Sequence, residues 1–229
     1  MIRVCLDFGH GKSDSGASYK GRFEKNDNLK LGLAVAKEVE RHGVIVDMTR
    51  TEDVYLSLSD RSNFEKKGGY DYFISFHRNA FKPEAARGVE TYTFTRQTAK
   101  AKSLASRIQR NLVGVGFLDR GVKKANFHVL RETRSPAVLI EVGFIDNTKD
   151  NDLFDSKFEK IVKAISTAIL DEVGIKYVEN DRPAPSAPTN KEETYYRVMA
   201  GSYKERSNAE AQLEKIKQAG FKDAFIKYD

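Results

Sequence analysis

Asp71-Tyr72-Phe73-Ile74-Ser75-Phe76-His77 is a short run of strand formers that stops at a histidine. Its aromatic and β-branched residues read as a strand in a sheet covered on both faces. Two further runs share the pattern. Ile2-Arg3-Val4-Cys5-Leu6-Asp7-Phe8-Gly9 leads to His10, and Pro136-Ala137-Val138-Leu139-Ile140 leads to Glu141. Parallel strands of an open α/β sheet deliver their C-terminal ends to one edge, where ligands bind. Polar groups at three such ends can meet although they are far apart in sequence. Two imidazoles with carboxylates nearby are the parts of a catalytic zinc site.

Outward from these runs, strand and helix patterns alternate. Strands are expected at 2–8, 44–49, 71–77, 88–95 and 137–143. Between them, Leu29, Leu33, Ala36 and Val39 share a helical face closed by Gly43, and Leu104, Ile108 and Leu112 share another. A helix over 157–173 buries Phe158, Ile161, Val162, Ile165, Ile169 and Val173, with Gly174 after it. The expected fold class is therefore α/β, a mostly parallel twisted sheet with helices on both faces. After Gly174 the character changes. Residues 182–190 hold three of the five prolines and no large apolar side chain, the composition of an extended linker. Order signals return with a strand at 195–201, a helix over 206–219 carrying Ala209, Leu213 and Ile216 on one face, and a strand from Phe221 to Tyr228. The expected domains are 1–174, a linker at 175–194, and a small β-α-β segment at 195–229.

Composition bounds the function. The 229 residues suffice for one sizeable core and an appendage. No apolar run approaches the roughly 20 residues that span a bilayer, and Met1-Ile2-Arg3-Val4 enters a strand directly, so no classical signal peptide is expected. The single cysteine, Cys5, lies mid-strand and reads as a buried small hydrophobe. A net charge of +6 suits polyanions, whether nucleic acid, an anionic membrane or the anionic polymers of a bacterial wall. A nucleic-acid partner would rest on that charge alone, since no five basic residues run together, and none is expected.

The polar residues at the strand ends carry the chemistry. His10 sits in Gly9-His10-Gly11, where glycines let the backbone turn and a ligand approach. Glu24 precedes the first helix and can fold back over the same edge. Two histidines with a glutamate leave a fourth zinc position for water, whose pKa zinc lowers toward 7. Glu141 stands among core-type side chains, which raise a carboxyl pKa and suit a general acid–base. Arg78, Asn79 and His128 are candidate substrate contacts, with His128 read as a strand or loop residue near the edge. His42, ahead of Gly43, reads as a helix C-terminal residue favoured by the dipole.

Taken in order, Leu6-Asp7-Phe8-Gly9-His10-Gly11, Glu24-Lys25 with Asn28-Leu29, Thr49-Arg50-Thr51, Leu58-Ser59-Asp60-Arg61, Ser75-Phe76-His77-Arg78-Asn79, Arg87-Gly88-Val89-Glu90-Thr91, Val129-Leu130-Arg131 and Pro136–Phe144 resemble the zinc-dependent N-acetylmuramoyl-L-alanine amidases of the Amidase_3 family. The resemblance covers about residues 1–174. It implies one zinc per chain on His10, Glu24 and His77, with Glu141 as the catalytic glutamate. It implies a peptidoglycan hydrolase, endolysin or autolysin, that cuts the amide between N-acetylmuramic acid and the L-alanine of the stem peptide. Phe8, Lys12 and Arg78 depart from the family pattern; a cation at 78 would meet substrate carboxylates. The tail from Tyr196 to Phe221 looks like the first half of a SPOR domain, a family that binds peptidoglycan glycan strands. The protein is then expected to act on the bacterial cell wall after release by a holin, by lysis or by a non-classical route. The rival readings are a zinc carboxypeptidase on wall peptides and a non-catalytic wall-binding protein; no oligomeric state is implied.

Overall fold

The structure is a computed structural model that describes residues 1–179, 204–221 and 224–226. In chain order the elements are β1 (Arg3–Phe8), the short pair β2 (Ser18–Tyr19) and β3 (Arg22–Phe23), α1 (Glu24–Glu40) and β4 (Ile45–Met48). There follow α2 (Leu58–Gly68), β5 (Tyr72–Asn79), β6 (Val89–Phe94), α3 (Ala99–Val115) and β7 (Asp119–Ala125). The first unit closes with α4 (His128–Arg131), β8 (Ala137–Phe144), α5 (Thr148–Ser156) and α6 (Phe158–Glu172); α7 (Arg206–Gln218) belongs to a separate unit.

Six strands form one sheet in the order β4-β1-β5-β8-β6-β7. The pairs β1–β4, β1–β5, β5–β8 and β6–β7 are parallel, and β6–β8 is antiparallel. The expected mostly parallel α/β sheet is what forms. The one reversal has a steric cause. A parallel return needs a crossover of about a dozen residues or more, and the link 80–88 between β5 and β6 is shorter and holds no helix.

Alternation along the strands sorts the side chains onto two faces. On one face Val4, Leu6, Phe8, Ile74, Phe76, Val138 and Ile140 join the buried sides of α1, α3 and α6 in the main core. On the other face Cys5, Phe73, Ala137 and Leu139 meet Val129 and Leu130 from α4, with Tyr92 and Phe94 packed against them. Burial drives the Cys5 thiol pKa up, so it is an inert core residue as expected.

Six elements in the first unit were not expected from the sequence: the short β2, β3 and α4, and the longer α2, β7 and α5. The residues α2 buries are Arg61, Ser62 and Glu65, while Leu58 and Phe64 are exposed, so it shows no apolar stripe. Its start is marked instead by a capping box between Ser57 and Asp60. The strand β7, Asp119-Arg120-Gly121-Val122-Lys123-Lys124-Ala125, is a polar edge strand with no buried residue. Helix α5 buries only Asp150 and Phe154.

The chain continues to pack beyond Gly174. Ile175 and Tyr177 lie against the main core, and the Val178 N–H donates to His42 Nε2. His42 is a C-terminal group of its helix as expected, with Nδ1 on the Glu38 carbonyl at 2.8 Å. In the second unit, α7 turns Ala209, Leu213 and Ile216 into its less exposed stripe, the face expected for it. The strand expected at 195–201 lies outside the described residues, and the one from 221 to 228 lies partly outside them. Among the described residues no helix is long and apolar enough to cross a membrane.

Candidate metal centre

The end of β1 is held by two arginines reaching in from outside the strand. Arg61 on α2 donates to Asp7 Oδ1 and the Phe8 carbonyl, each at 2.8 Å, and to the His10 carbonyl at 2.9 Å. Arg50 donates to the Phe8, Gly9 and Lys25 carbonyls. Asp7 is fully buried, and although burial opposes its charge, Arg61 and the hydroxyls of Ser75 and Thr49 hold its pKa below the usual range. Fixed this way, His10 adopts φ 63°, a conformation few non-glycine residues take, and its ring turns toward β5.

Glu24 is the first residue of α1 rather than a residue ahead of it, and it is almost fully buried. His10 Nε2 stands 3.2 Å from Glu24 Oε2, and His77 Nδ1 stands 2.9 Å from Oε1. The Ala17 N–H, the Arg78 N–H and the Asn28 amide add hydrogen bonds of 2.9, 3.1 and 3.2 Å. Burial alone would raise the Glu24 pKa, yet the two histidines outweigh it and drive the pKa far down. The same pairing works against burial on the histidines, raising His10 and lifting His77 to about 9. One ligand atom each from His10, Glu24 and His77 lies within 4.8 Å of the others.

Two glycines make room for this cluster. A Cβ at Gly9 would overlap the His77 ring, and a Cβ at Gly16 would stand 2.6 Å from both Glu24 Oε2 and His10 Cδ2. The outer nitrogen of the His10 ring is also engaged, with Nδ1 at 2.8 Å from Asp14 Oδ2. A carboxylate on the far nitrogen of a ligating histidine fixes its tautomer and raises its basicity. Imidazole, imidazole and carboxylate, packed so closely and supported from behind, match the donor set of a catalytic zinc.

Glu141 pairs in register with His77 on the neighbouring strand. It is half-buried, and its Oε2 is enclosed with no hydrogen-bond partner. Burial pushes its pKa up to about 7; His77 opposes the rise, and the nearby Glu24 and Glu90 charges add to it.

The other candidates divide. Arg78 does not meet the site. It follows His77 on β5 and so points to the opposite face, where it is 2% exposed. There Nη1 donates to Asp27 Oδ2 at 2.5 Å, Nη2 to Asn151 Oδ1 at 2.7 Å, and the guanidinium lies 4.3 Å from the Phe154 ring centroid. Only its backbone N–H serves the centre. Asn79 ends β5 half-buried, with its side-chain oxygen on the Ala80 N–H. His128 opens the short helix α4 rather than lying in a strand or loop, and its Nε2 is 3.2 Å from Ser62 Oγ. The supporting residues Asp14, Asn28, Arg50 and Arg61 were not read as part of the site. For Asp14 the available signal is its spacing, four residues after His10 in a glycine-bearing turn.

Comparison with known proteins gives the family. Residues 4–171 match the family model for N-acetylmuramoyl-L-alanine amidase, and residues 169–228 match that of the SPOR domain. The SPOR match is longer than the half-domain expected at 195–229. A sporulation-specific N-acetylmuramoyl-L-alanine amidase of Bacillus subtilis is 34% identical over 96% of this chain and 83% of its own. The amidase CwlM of Bacillus licheniformis is 34% identical over 100% of this chain and 85% of its own. Among solved structures, the catalytic domain of the amidase CwlV from Bacillus (Paenibacillus) polymyxa superposes with a TM-score of 0.70 at 35% identity, covering 77% of this chain and all of that one. An N-acetylmuramoyl-L-alanine amidase from Clostridium difficile 630 gives 0.73 at 33% identity, covering 76% of this chain and 97% of its own. With the family model spanning most of its length and relatives matching it nearly end to end, the chain belongs to the N-acetylmuramoyl-L-alanine amidases, a family of peptidoglycan hydrolases, and carries a SPOR domain at its C-terminal end.

Proposed function

We propose that the protein cleaves the amide between N-acetylmuramic acid and the L-alanine of the stem peptide, with one zinc per chain held by His10, Glu24 and His77. The observation that carries this reading is the convergence of those three side chains beside a half-buried Glu141. Zinc in such a set supplies Lewis acidity, lowering a water's pKa to about 7 and polarising a carbonyl.

The chain's own residues do the rest. Asp14 holds the His10 ring in one tautomer, and Asn28 with two backbone N–H groups orients Glu24. With a pKa near 7, Glu141 can accept a proton from the attacking water and pass it to the leaving alanine nitrogen. Its unpartnered Oε2 is the atom free to do so. Asn79 and His128 remain candidate substrate contacts. The segment after residue 179 would bind glycan strands and hold the catalytic unit on the wall, and the net positive charge would favour anionic wall polymers.

The test is digestion of purified peptidoglycan followed by mass spectrometry. Intact stem peptides with a free N-terminal alanine are expected; release of single amino acids would favour a carboxypeptidase instead.

A further inference from the structure

Beyond Glu141 the same face of the sheet continues into a charged row. Glu90 on β6 stands directly opposite Glu141 in the antiparallel register. It is 2% exposed, and both of its oxygens are engaged. Oε2 accepts from the Tyr92 hydroxyl, while Oε1 takes Arg120 Nε and, at 2.9 Å, Lys123 Nζ.

Arg120 and Lys123 are three residues apart on β7, and in a regular strand they would face opposite sides. The register slips here: Val89 pairs with Asp119 but Thr91 pairs with Val122. The extra residue is a bulge that turns both cations to one carboxylate. Core packing does not require it, because β7 is a polar edge strand with nothing buried. Two cations on one carboxylate leave a positive charge over. Both side chains are about a third exposed, at 33% and 39%. Arg120 Nη1 and Nη2 make no hydrogen bond among the described residues, and Lys123 pairs there with Glu90 alone.

We propose that Arg120 and Lys123, held on Glu90, form a subsite that recognises a carboxylate on the peptide part of the substrate, an inference that rests on the amidase reading. The glycan side offers hydroxyl and acetamide groups, and the lactyl carboxyl of the muramic acid is tied up in the scissile amide, so an anion must come from the peptide. From β8 to β7 is two strand spacings, about 10 Å. An extended peptide advances ~3.3–3.6 Å per residue, which places the recognised carboxylate on the second or third residue from the scissile nitrogen. The peptide then runs across β6 and β7, away from His10, Glu24 and His77.

The test uses soluble muropeptides in matched pairs, with either a free carboxylate or a carboxamide at the second residue, and again at the third. Wild-type protein, Arg120→Ala, Lys123→Ala and the exposed control Lys124→Ala are compared with zinc present. Wild type should prefer the acid of one pair by about tenfold in kcat/KM, the low end for a charge-assisted hydrogen bond. Arg120→Ala and Lys123→Ala should lose that preference mainly through KM, and Lys124→Ala should keep it. The acid-to-amide ratio does not depend on how much of a variant is folded. An unchanged ratio in both variants, or no preference in wild type, would overturn the subsite while leaving the amidase intact. No hydrolysis of either member by wild type would overturn the amidase reading and the subsite with it.

Discussion

Glu24 receives two imidazoles, two backbone N–H groups and an amide, so its charge organises everything near it. Glu141, on β8, has an enclosed Oε2 with no hydrogen-bond partner, and the contrast suits them to different roles. A carboxylate held far below its usual pKa suits a metal ligand, and one lifted to about 7 can carry a proton. Glu141→Gln should keep zinc and lose turnover by ~10²–10⁴-fold, read by metal analysis beside the rate on a small muropeptide. The raised pKa also has a cost in the metal-free protein. Folded Glu141 binds its proton more tightly than the unfolded chain does, so stability falls as pH rises from about 4.5 through 7. Glu141→Gln removes that slope, and the stability difference between variant and wild type should grow by about 2–3 kcal/mol across the window, measured by urea unfolding in chelator. Asp14→Asn should leave the fold unchanged and weaken zinc binding by about 10–100-fold, measured by competition with a chelating dye. His10, His77 and Glu141 are legible in the sequence because each ends or interrupts an apolar run. Asp14 is marked only by its spacing four residues after His10, because a polar residue in a polar turn does not otherwise stand out. Arg78 is misread when its place beside His77 is weighed and strand alternation is not.

At the level of elements, the strands rich in apolar residues and the helices α1, α3 and α6 are legible because each buries a continuous face. The helix α2 escapes because what it buries is Arg61, Ser62 and Glu65, and β7 escapes because it buries nothing. Both serve the site through charge. Through Arg61, α2 holds the Asp7 carboxylate and the His10 carbonyl. Its capping box is therefore a remote support of the candidate metal centre. Ser57→Ala should cost about 1 kcal/mol, seen as a lower urea midpoint, with zinc stoichiometry unchanged. The reversal of β6 was likewise within reach of the sequence, because the link after β5 is too short for a parallel crossover.

For the whole molecule, the end of α6 before Gly174 is legible, but the continuation of the first unit to Glu179, with Ile175 and Tyr177 on the core, is not, because two apolar residues after a helix carry no periodicity. A chain ended after Glu179 should fold, bind zinc and hydrolyse a soluble muropeptide, while its pull-down with intact wall falls. Equal pull-down with and without the tail would remove the wall-binding role. The central proposal is one zinc on His10, Glu24 and His77. Its most direct test is titration of zinc into metal-free protein by calorimetry, for wild type and for His77→Ala. One equivalent should bind tightly to the wild type and none to the variant; equal uptake by both would contradict the account.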